Sequence, residues 1–412
     1  VNALYRLAMS IAYSAIYPYA RLRASGGKEL WRGRIGLIPE VGPRDVWLHA
    51  ASVGEAKVAS YLVDYLRKRR SDISIHVTVM TTSGFEAARK LLPADVTMSY
   101  FPIDSRGAIA RVFERIQPKL IGVAETEIWP NLVNVAADKQ VALVLFNGRM
   151  SDKAFKRYRY IKTFLGKLLD SYSRFFVKTI QDLERFTFFG VPRDRVEVAG
   201  DMKFDAPLMM RSEGRIKELR YRAGIGDEDF LLVAGSTRPG EEELLIDEYL
   251  TIKANHPHFR LLLAPRHVER AGEVAALLQA RSIPFHIYGQ EPVSDNVVIV
   301  DRMGILMELY QAANLAFVGG TLVKIGGHNV LEPVWAGTPV VFGPSCDNVL
   351  EAAGHVLQHD FGVQIQSASE LGALVEEMIS GNRTFKQKTE TDLHESATAS
   401  AGEYILRKIQ HA

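Results

Sequence analysis

Glutamates at the ends of apolar runs have the clearest chemical use in this sequence. Glu55 follows the run 46–50 and the turn Ser52-Val53-Gly54. It opens a segment, 56–70, whose Ala59, Leu62, Val63 and Leu66 share one helical face. The positive end of a helix favours an ionised carboxylate, so Glu55 there is ready to accept a proton; the same dipole makes glutamate an ordinary helix-start residue. Glu125 and Glu127 follow the run 120–124. A carboxylate buried at a strand's end needs a partner.

The second candidate is a glycine-rich stretch. After the run 315–318 come Gly319, Gly320 and Thr321, then Gly326-Gly327-His328-Asn329, Leu331-Glu332-Pro333 and Gly337-Thr338-Pro339, running into Phe342-Gly343-Pro344. Glycines permit sharp turns and close approach of the backbone to a ligand. Residues 329–335 read as a helix start, whose unpaired N–H groups suit an anion. Glu332, one turn inside, can accept hydrogen bonds from a ribose diol. A nucleotide carries both groups, although plain loop glycines of an α/β domain would leave the same pattern. Arg238 and Arg266 each follow a predicted strand and could clamp a phosphate or carboxylate; either alone also reads as a surface ion-pair partner. Asp227-Glu228-Asp229 precedes its strand and reads as a turn, and the 11 histidines show no zinc spacing, so no metal site is expected.

The elements that must carry these residues alternate. Strands at 46–50, 73–81, 96–101, 120–124, 141–146, 175–178 and 196–199 alternate with helices at 56–70, 84–92, 106–116 and 131–138. Residues 153–167, with Lys153, Lys156, Arg157, Arg159, Lys162 and Lys167 and no acid, read as one more helix, its basic face either solvated or phosphate-binding. After Gly200-Asp201-Met202-Lys203-Phe204-Asp205 the alternation restarts. Strands at 231–234, 260–264, 297–300, 315–318 and 363–365 are interleaved with helices at 241–254, 268–281, 348–357 and 371–380. The pattern predicts an α/β protein of two Rossmann-like domains, 24–205 and 206–384, facing a central cleft, with a helical tail at 385–412.

The 412 residues suffice for two domains, and 47% hydrophobic with 24% charged residues is ordinary globular composition. A net charge of +2 makes no case for nucleic acid as a partner. The single Cys346 excludes an internal disulfide and fits a reducing compartment. Residues 7–20 are uncharged but interrupted by Pro18, and at 14 residues are shorter than the roughly 20 a spanning helix needs. Residues 1–23 therefore read as a membrane-associating helix, with Tyr13, Tyr17 and Tyr19 at the interface and arginines on the headgroups. A cleaved signal peptide and packing of this helix on the protein's own core are the alternatives. Residues 24–45 read as a basic loop carrying Lys28, Arg32 and Arg34, facing either solvent or lipid phosphates.

Five segments, in order along the chain, carry a resemblance. They are His49-Ala50-Ala51-Ser52-Val53-Gly54-Glu55, Glu125-Thr126-Glu127-Ile128-Trp129-Pro130, Gly200-Asp201-Met202-Lys203-Phe204-Asp205, Ala264-Pro265-Arg266-His267 and Gly326-Gly327-His328-Asn329-Val330-Leu331-Glu332-Pro333. Together they resemble the Kdo transferases, which add 3-deoxy-D-manno-octulosonic acid (Kdo) to the lipid A precursor. The resemblance implies a GT-B fold, a CMP-Kdo donor, a lipid A precursor acceptor (lipid IVA), no metal or other cofactor, and attachment to an anionic membrane surface, the cytoplasmic side of the inner membrane. By the same resemblance Glu55 matches the general base, and Glu125 and Lys203 match residues of transition-state support. Pro265, Arg266, Met303, Gly304, Ile305, Asn329, Val330, Leu331 and Glu332 match CMP-binding segments. Arg238, Gly326, Gly327 and His328 are expected as further donor contacts. Ile305 departs from the family, many members of which carry an acid there. Direct displacement by the acceptor hydroxyl would invert the anomeric centre. A sugar-nucleotide epimerase of the same architecture and a non-catalytic lipid-binding protein are the competing readings.

Overall fold

The computed structural model describes residues 2–206, 209, 212–291, 297–389 and 396–411, and the side chains from residue 5 onward. Val1, and residues 390–395 and 412 of the expected tail, lie outside the described residues. The chain divides into two compact units, Val1–Ala206 with Thr391–Ala412, and Pro207–Glu390.

The first unit is built on seven parallel strands: β1 (Arg44–Ala50), β2 (Ile75–Val79), β3 (Thr97–Tyr100), β4 (Pro118–Ala124), β5 (Ala142–Gly148), β6 (Tyr172–Val177) and β7 (Val196–Val198). Their order is β3-β2-β1-β4-β5-β6-β7. The order reverses between β1 and β4, which in open α/β sheets opens a crevice at the strands' carboxyl ends. Strands covered on both faces read as continuous apolar runs. Val46, Leu48 and Ala50 of β1 enter one buried layer while Trp47 enters the other.

The second unit repeats the plan with β8 (Phe230–Thr237), β9 (Phe259–Pro265), β10 (Phe285–Ile287), β11 (Val297–Ile299), β12 (Leu315–Val318), β13 (Val340–Phe342) and β14 (Gly362–Gln364). The order is β10-β11-β9-β8-β12-β13-β14, with the reversal between β8 and β12. Leu232 and Ala234 face one buried layer, Leu231 and Val233 the other. β10, β13 and the helix Ile180–Phe188 were not among the expected elements. The two strands are three residues each, too short for a period to register.

Four expectations are corrected. The N-terminal helix, Asn2–Ser25, is part of the first unit rather than a separate segment. Tyr5 donates to Asp104 at 2.8 Å, Tyr13 donates to the Ile35 carbonyl at 3.2 Å, and Tyr13 and Tyr17 pack on buried Ala20, Ala24 and Ile35. Two of the three expected interfacial tyrosines thus satisfy their amphipathic rings on the protein itself. Residues 24–45 are not all loop: Glu29–Arg34 is a helix, and Arg34 donates to the carbonyls of Met80 and Phe101 at 2.5 and 3.1 Å, so its guanidinium is engaged within the protein. The basic run is broken into Asp152–Tyr158, a tight turn Arg159–Ile161, and Lys162–Leu169. The C-terminal helix, Ala397–Gln410, belongs to the first unit's core, with Ala401, Ile405 and Ile409 in the same layer as Leu62 and Leu66. A Cβ on Gly402 would lie 2.4 Å from the Tyr65 ring, so glycine is what lets this helix seat so closely.

Candidate active site

In the first unit the reactive groups collect at the reversal. The helix Val53–Arg69 starts directly beyond β1, and Ser52 caps it through the Glu55 N–H. The Glu55 carboxylate folds back to accept from the Ala51 N–H and the Ser52 hydroxyl, each at 2.8 Å. This reciprocal arrangement is a capping box whose return bond falls one residue early, on the Ala51 N–H instead of that of Ser52. Glu55 is buried, and burial pushes its carboxyl above the ordinary value against the pull of those two donors. The helix end alone pointed the other way; desolvation outweighs it.

Beyond β4 the chain turns sharply at Glu125, whose φ of +53° is uncommon for a residue with a side chain. Its carboxylate lies 3.4 Å from the Lys178 ammonium and 3.8 Å from that of Lys203. Lys178 follows β6, is 9% exposed, and also pairs with Asp201 at 3.0 Å. Lys203 stands beside the Glu55 turn, its Cε 4.0 Å from where a Cβ on Gly54 would be. Glu127 is half-buried, and its carboxyl is pushed up to about 7, by burial first and then by the charge of Glu55. The structure therefore brings Glu55, Glu125 and Lys203 together, and adds Glu127, Lys178 and Asp201.

In the second unit the groups collect between β8 and β12. Gly319 packs so tightly that a Cβ would lie 2.3 Å from the Ser236 carbonyl oxygen. Gly320, Gly326 and Gly327 all have positive φ. Arg238, just past β8, donates from Nε to His328 Nε2 at 3.1 Å, and its Nη1 meets His267 Nε2 at 3.0 Å. A histidine nitrogen that accepts from guanidinium must be unprotonated. His328 accordingly sits below its usual range, by burial first and then by Arg238, Arg266 and His267. Arg266 is exposed at the end of β9, past Pro265. Met303 and Gly304 form an exposed turn after β11, and Ile305 caps the helix Leu306–Ala312. Asn329 donates to Glu332 at 3.3 Å, and the Leu331 N–H donates to Asn329 at 3.2 Å. Val330 and Leu331 are buried and hold the turn rather than face solvent.

The helix expected over 329–335 begins at Leu331 and is five residues long. So short a helix has little macrodipole. The Gly326, Gly327 and His328 N–H groups donate to Ser345 Oγ, Gly320 O and Gly319 O. Charge at this edge is therefore supplied by Arg238 and Arg266, not by the amides of 326–328.

Sequence reasoning also passed over Glu241 and Glu242, both wholly buried. Glu241 accepts from four backbone N–H groups: Arg238 at 3.0 Å, Gly320 at 2.7 Å, Thr321 at 3.0 Å and Leu322 at 2.9 Å. It ties the Arg238 loop to the glycine turn. Glu242 accepts from Thr237 and Arg270, each at 2.8 Å. The signal was present: Glu241 falls four and eight residues before Leu245 and Tyr249, on the helix face that turns inward. Lys178, directly after an apolar run, offered a weaker one. Among the described residues no group of three or more His, Cys, Asp or Glu is placed to hold a metal ion.

Comparison with known proteins adds the following. Residues 29–206 match a family described as 3-deoxy-D-manno-octulosonic-acid transferase (kdotransferase). The 3-deoxy-D-manno-octulosonic acid transferase of Haemophilus influenzae is 32% identical over 332 residues, covering 80% of this chain and 77% of that protein. A bifunctional glycosyltransferase/methyltransferase of Fusobacterium nucleatum is 34% identical over 340 residues, or 80% of this chain; the chain spans 52% of that longer protein. Among solved structures, the UDP-GlcNAc 2-epimerase of Neisseria meningitidis bound to UDP-GlcNAc superposes with a TM-score of 0.55 at 13% identity, covering 89% of this chain and all of that one. At that identity the likeness concerns fold alone.

Proposed function

The chain belongs to the 3-deoxy-D-manno-octulosonic acid transferase family and is a glycosyltransferase of GT-B type; from that premise we propose that it moves Kdo from CMP-Kdo to a lipid A precursor, lipid IVA, with inversion, without a metal, and with Glu55 as general base. The observation that carries the reading is the Glu55 carboxylate, buried at the β1–β4 reversal with Glu125 and Lys203 acting on its charge. A carboxylate whose proton affinity is raised by burial is a better base for an alcohol than an exposed one.

In the proposed step the acceptor hydroxyl gives its proton to Glu55 as its oxygen bonds to C2 of Kdo. The bond from C2 to the phosphate oxygen breaks, and CMP leaves with that electron pair. The attack comes from the face opposite the leaving group, hence inversion. Lys203, half-exposed, faces the donor carboxylate, and Glu125 supports the positive charge that develops at C2. Arg238 and Arg266 offset the charge gathering on CMP, Glu332 accepts from its ribose, and the backbone of 303–305 and 329–331 shapes its seat.

We place the enzyme on the cytoplasmic face of the inner membrane. Support comes from the helix Asn2–Ser25, which leaves Leu7, Ile11 and Leu22 59%, 62% and 72% exposed. No described helix is long and apolar enough to cross a membrane. The ring of Tyr5 lies 6.3 Å from Phe164, which brings this helix beside the basic segment 153–167. An apolar stripe next to exposed lysines and arginines suits an anionic bilayer surface.

The test is incubation with CMP-Kdo and lipid IVA in vesicles, with and without EDTA, followed by product masses. Kdo-bearing lipid and free CMP, unaffected by EDTA, are expected. An epimerised nucleotide sugar, or bound lipid without CMP release, would overturn the reading. Loss of turnover on chelation, restored by magnesium, would remove its metal-independence.

A further inference from the structure

We propose that Lys178 is the positioning residue for both Glu125 and Lys203: one buried ammonium, held between the carboxylates of Glu125 and Asp201, sets where the two stand. The inference rests on the roles given to Glu125 and Lys203 above and adds a residue to which neither the family resemblance nor the proposed mechanism assigns a part.

An ammonium removed from water must be paired, and Lys178 is paired twice. Its Nζ lies 3.0 Å from Asp201 Oδ2 and 3.4 Å from Glu125 Oε1, and its side chain is 6% exposed. The other oxygen of Asp201, Oδ1, accepts the Lys203 N–H at 3.0 Å. From Lys178, one branch reaches Glu125 at the end of β4, and the other passes through Asp201 to the backbone of Lys203. Glu125 needs such a restraint. Its left-handed backbone is one that side-chain-bearing residues seldom adopt, and it persists where surroundings over-determine it. Apart from Lys178, the ties are the Glu125 N–H to the Phe146 carbonyl at 3.0 Å and the looser contact with Lys203.

The two lysines divide the work by exposure. Lys203 is 45% exposed and 3.8 Å from Glu125, so it can turn to a substrate carboxylate. Lys178 is sealed beneath and acts only through its neighbours. The turn carrying Lys203 has an anchor independent of Lys178, since the Met202 N–H donates to Asn147 Oδ1 at 2.9 Å. Altering Lys178 should therefore loosen the two side chains without unfolding the segment.

The experiment measures kcat and donor KM of the full chain for Lys178→Met, which keeps the stem and removes the charge. It adds Glu125→Gln, Lys203→Ala and the double variant Lys178→Met/Lys203→Ala. A kcat loss of roughly 10²-fold with donor KM moved less than about threefold is expected for Lys178→Met. Because Lys178 acts in part through Lys203, the double variant should lose less than the product of the two single losses, what remains beyond Lys203→Ala being the branch to Glu125. Lys178→Arg should recover part of the rate. Should Lys178→Met fail to fold, Asp201→Asn cuts the branch to Lys203 and should show the same non-additivity. A folded Lys178→Met enzyme of wild-type kcat, or losses that multiply in the double variant, would overturn the inference while Glu125→Gln and Lys203→Ala remain slow. If those two are themselves fast, the roles given to Glu125 and Lys203 fail first, and that of Lys178 with them.

Discussion

At the carboxyl edge of the first sheet the reversal between β1 and β4 is lined by charged side chains, four acids and two lysines. At the same edge of the second sheet, between β8 and β12, it is lined by glycine backbone, two arginines and two histidines. Each contains a buried carboxylate, and the way its charge is met differs. Asp201 is met by the Lys178 ammonium, a titratable group just past β6. Glu241 is met by four backbone N–H groups that cannot titrate. A site neutralised by side chains can change the charge of both partners during a reaction; one neutralised by backbone faces donors whose charge no proton transfer alters. The first suits proton transfer, the second suits holding a nucleotide.

The contrast breaks first at Glu55. Glu55→Gln should lower turnover by roughly 10²-fold or more with donor affinity and melting temperature nearly unchanged, measured by steady-state kinetics and CMP titration. A folded variant of near wild-type rate would shift the proton acceptor to Glu125 or Glu127.

The corresponding change in the second unit should behave differently. Glu241→Gln turns one acceptor into an NH₂ facing backbone donors at a site with no solvent. A stability loss of about 1–3 kcal/mol, with a roughly tenfold weaker CMP affinity and little change in saturated turnover, is expected. Thermal unfolding with and without CMP checks it. Unchanged affinity would separate the glycine turn from donor binding.

Glu332→Gln keeps the size of the group that faces the proposed ribose and removes its charge. Donor affinity should fall by about 1 kcal/mol, roughly fivefold, with kcat held. A kcat defect at constant affinity would move Glu332 from binding to chemistry.

The smallest effect sharpens the electrostatic half of the comparison. Glu127 rises from an ordinary 4.5 to about 7 in the folded protein. Between those pH values the folded state holds a proton that the unfolded state has released. Stability from this group is therefore greatest below about pH 4.5, declines as pH rises to about 7, and is level above. Glu127→Gln should remove that decline and stabilise the protein at pH 8 by on the order of 1 kcal/mol, a figure reduced for partial exposure. In Glu55→Gln, the Glu127 midpoint followed by carboxyl NMR should move down, because part of its rise comes from the Glu55 charge. A midpoint that stays put would leave burial and the Glu125 charge as the causes.

Much of this was legible in the chain. The alternation of apolar runs and helical faces predicts most strands within two or three residues, and Gly320, Gly326 and Gly327 sit where left-handed backbone is required. Glu55 at a helix start is a local pattern, readable within a dozen residues. The N-terminal helix was half legible: its apolar content shows in the sequence, but not that Tyr13 and Tyr17 turn to the protein while Leu7, Ile11 and Leu22 face out. Hydrophobicity does not say which neighbour covers a face.

What the sequence determined by itself is set by period and by backbone chirality, both of which act over a few residues. What tertiary structure alone decided is which charges meet. Lys178 reaches Glu125 across 53 residues because β6 lies two strands from β4 in the sheet. Glu241 meets the N–H of Gly320 across 79 residues because β8 and β12 are neighbours. Alternation announces a parallel sheet but carries no record of strand order, and Coulomb and hydrogen-bond energies depend on separation in space. The partners of these carboxylates therefore exist only once the sheets are assembled.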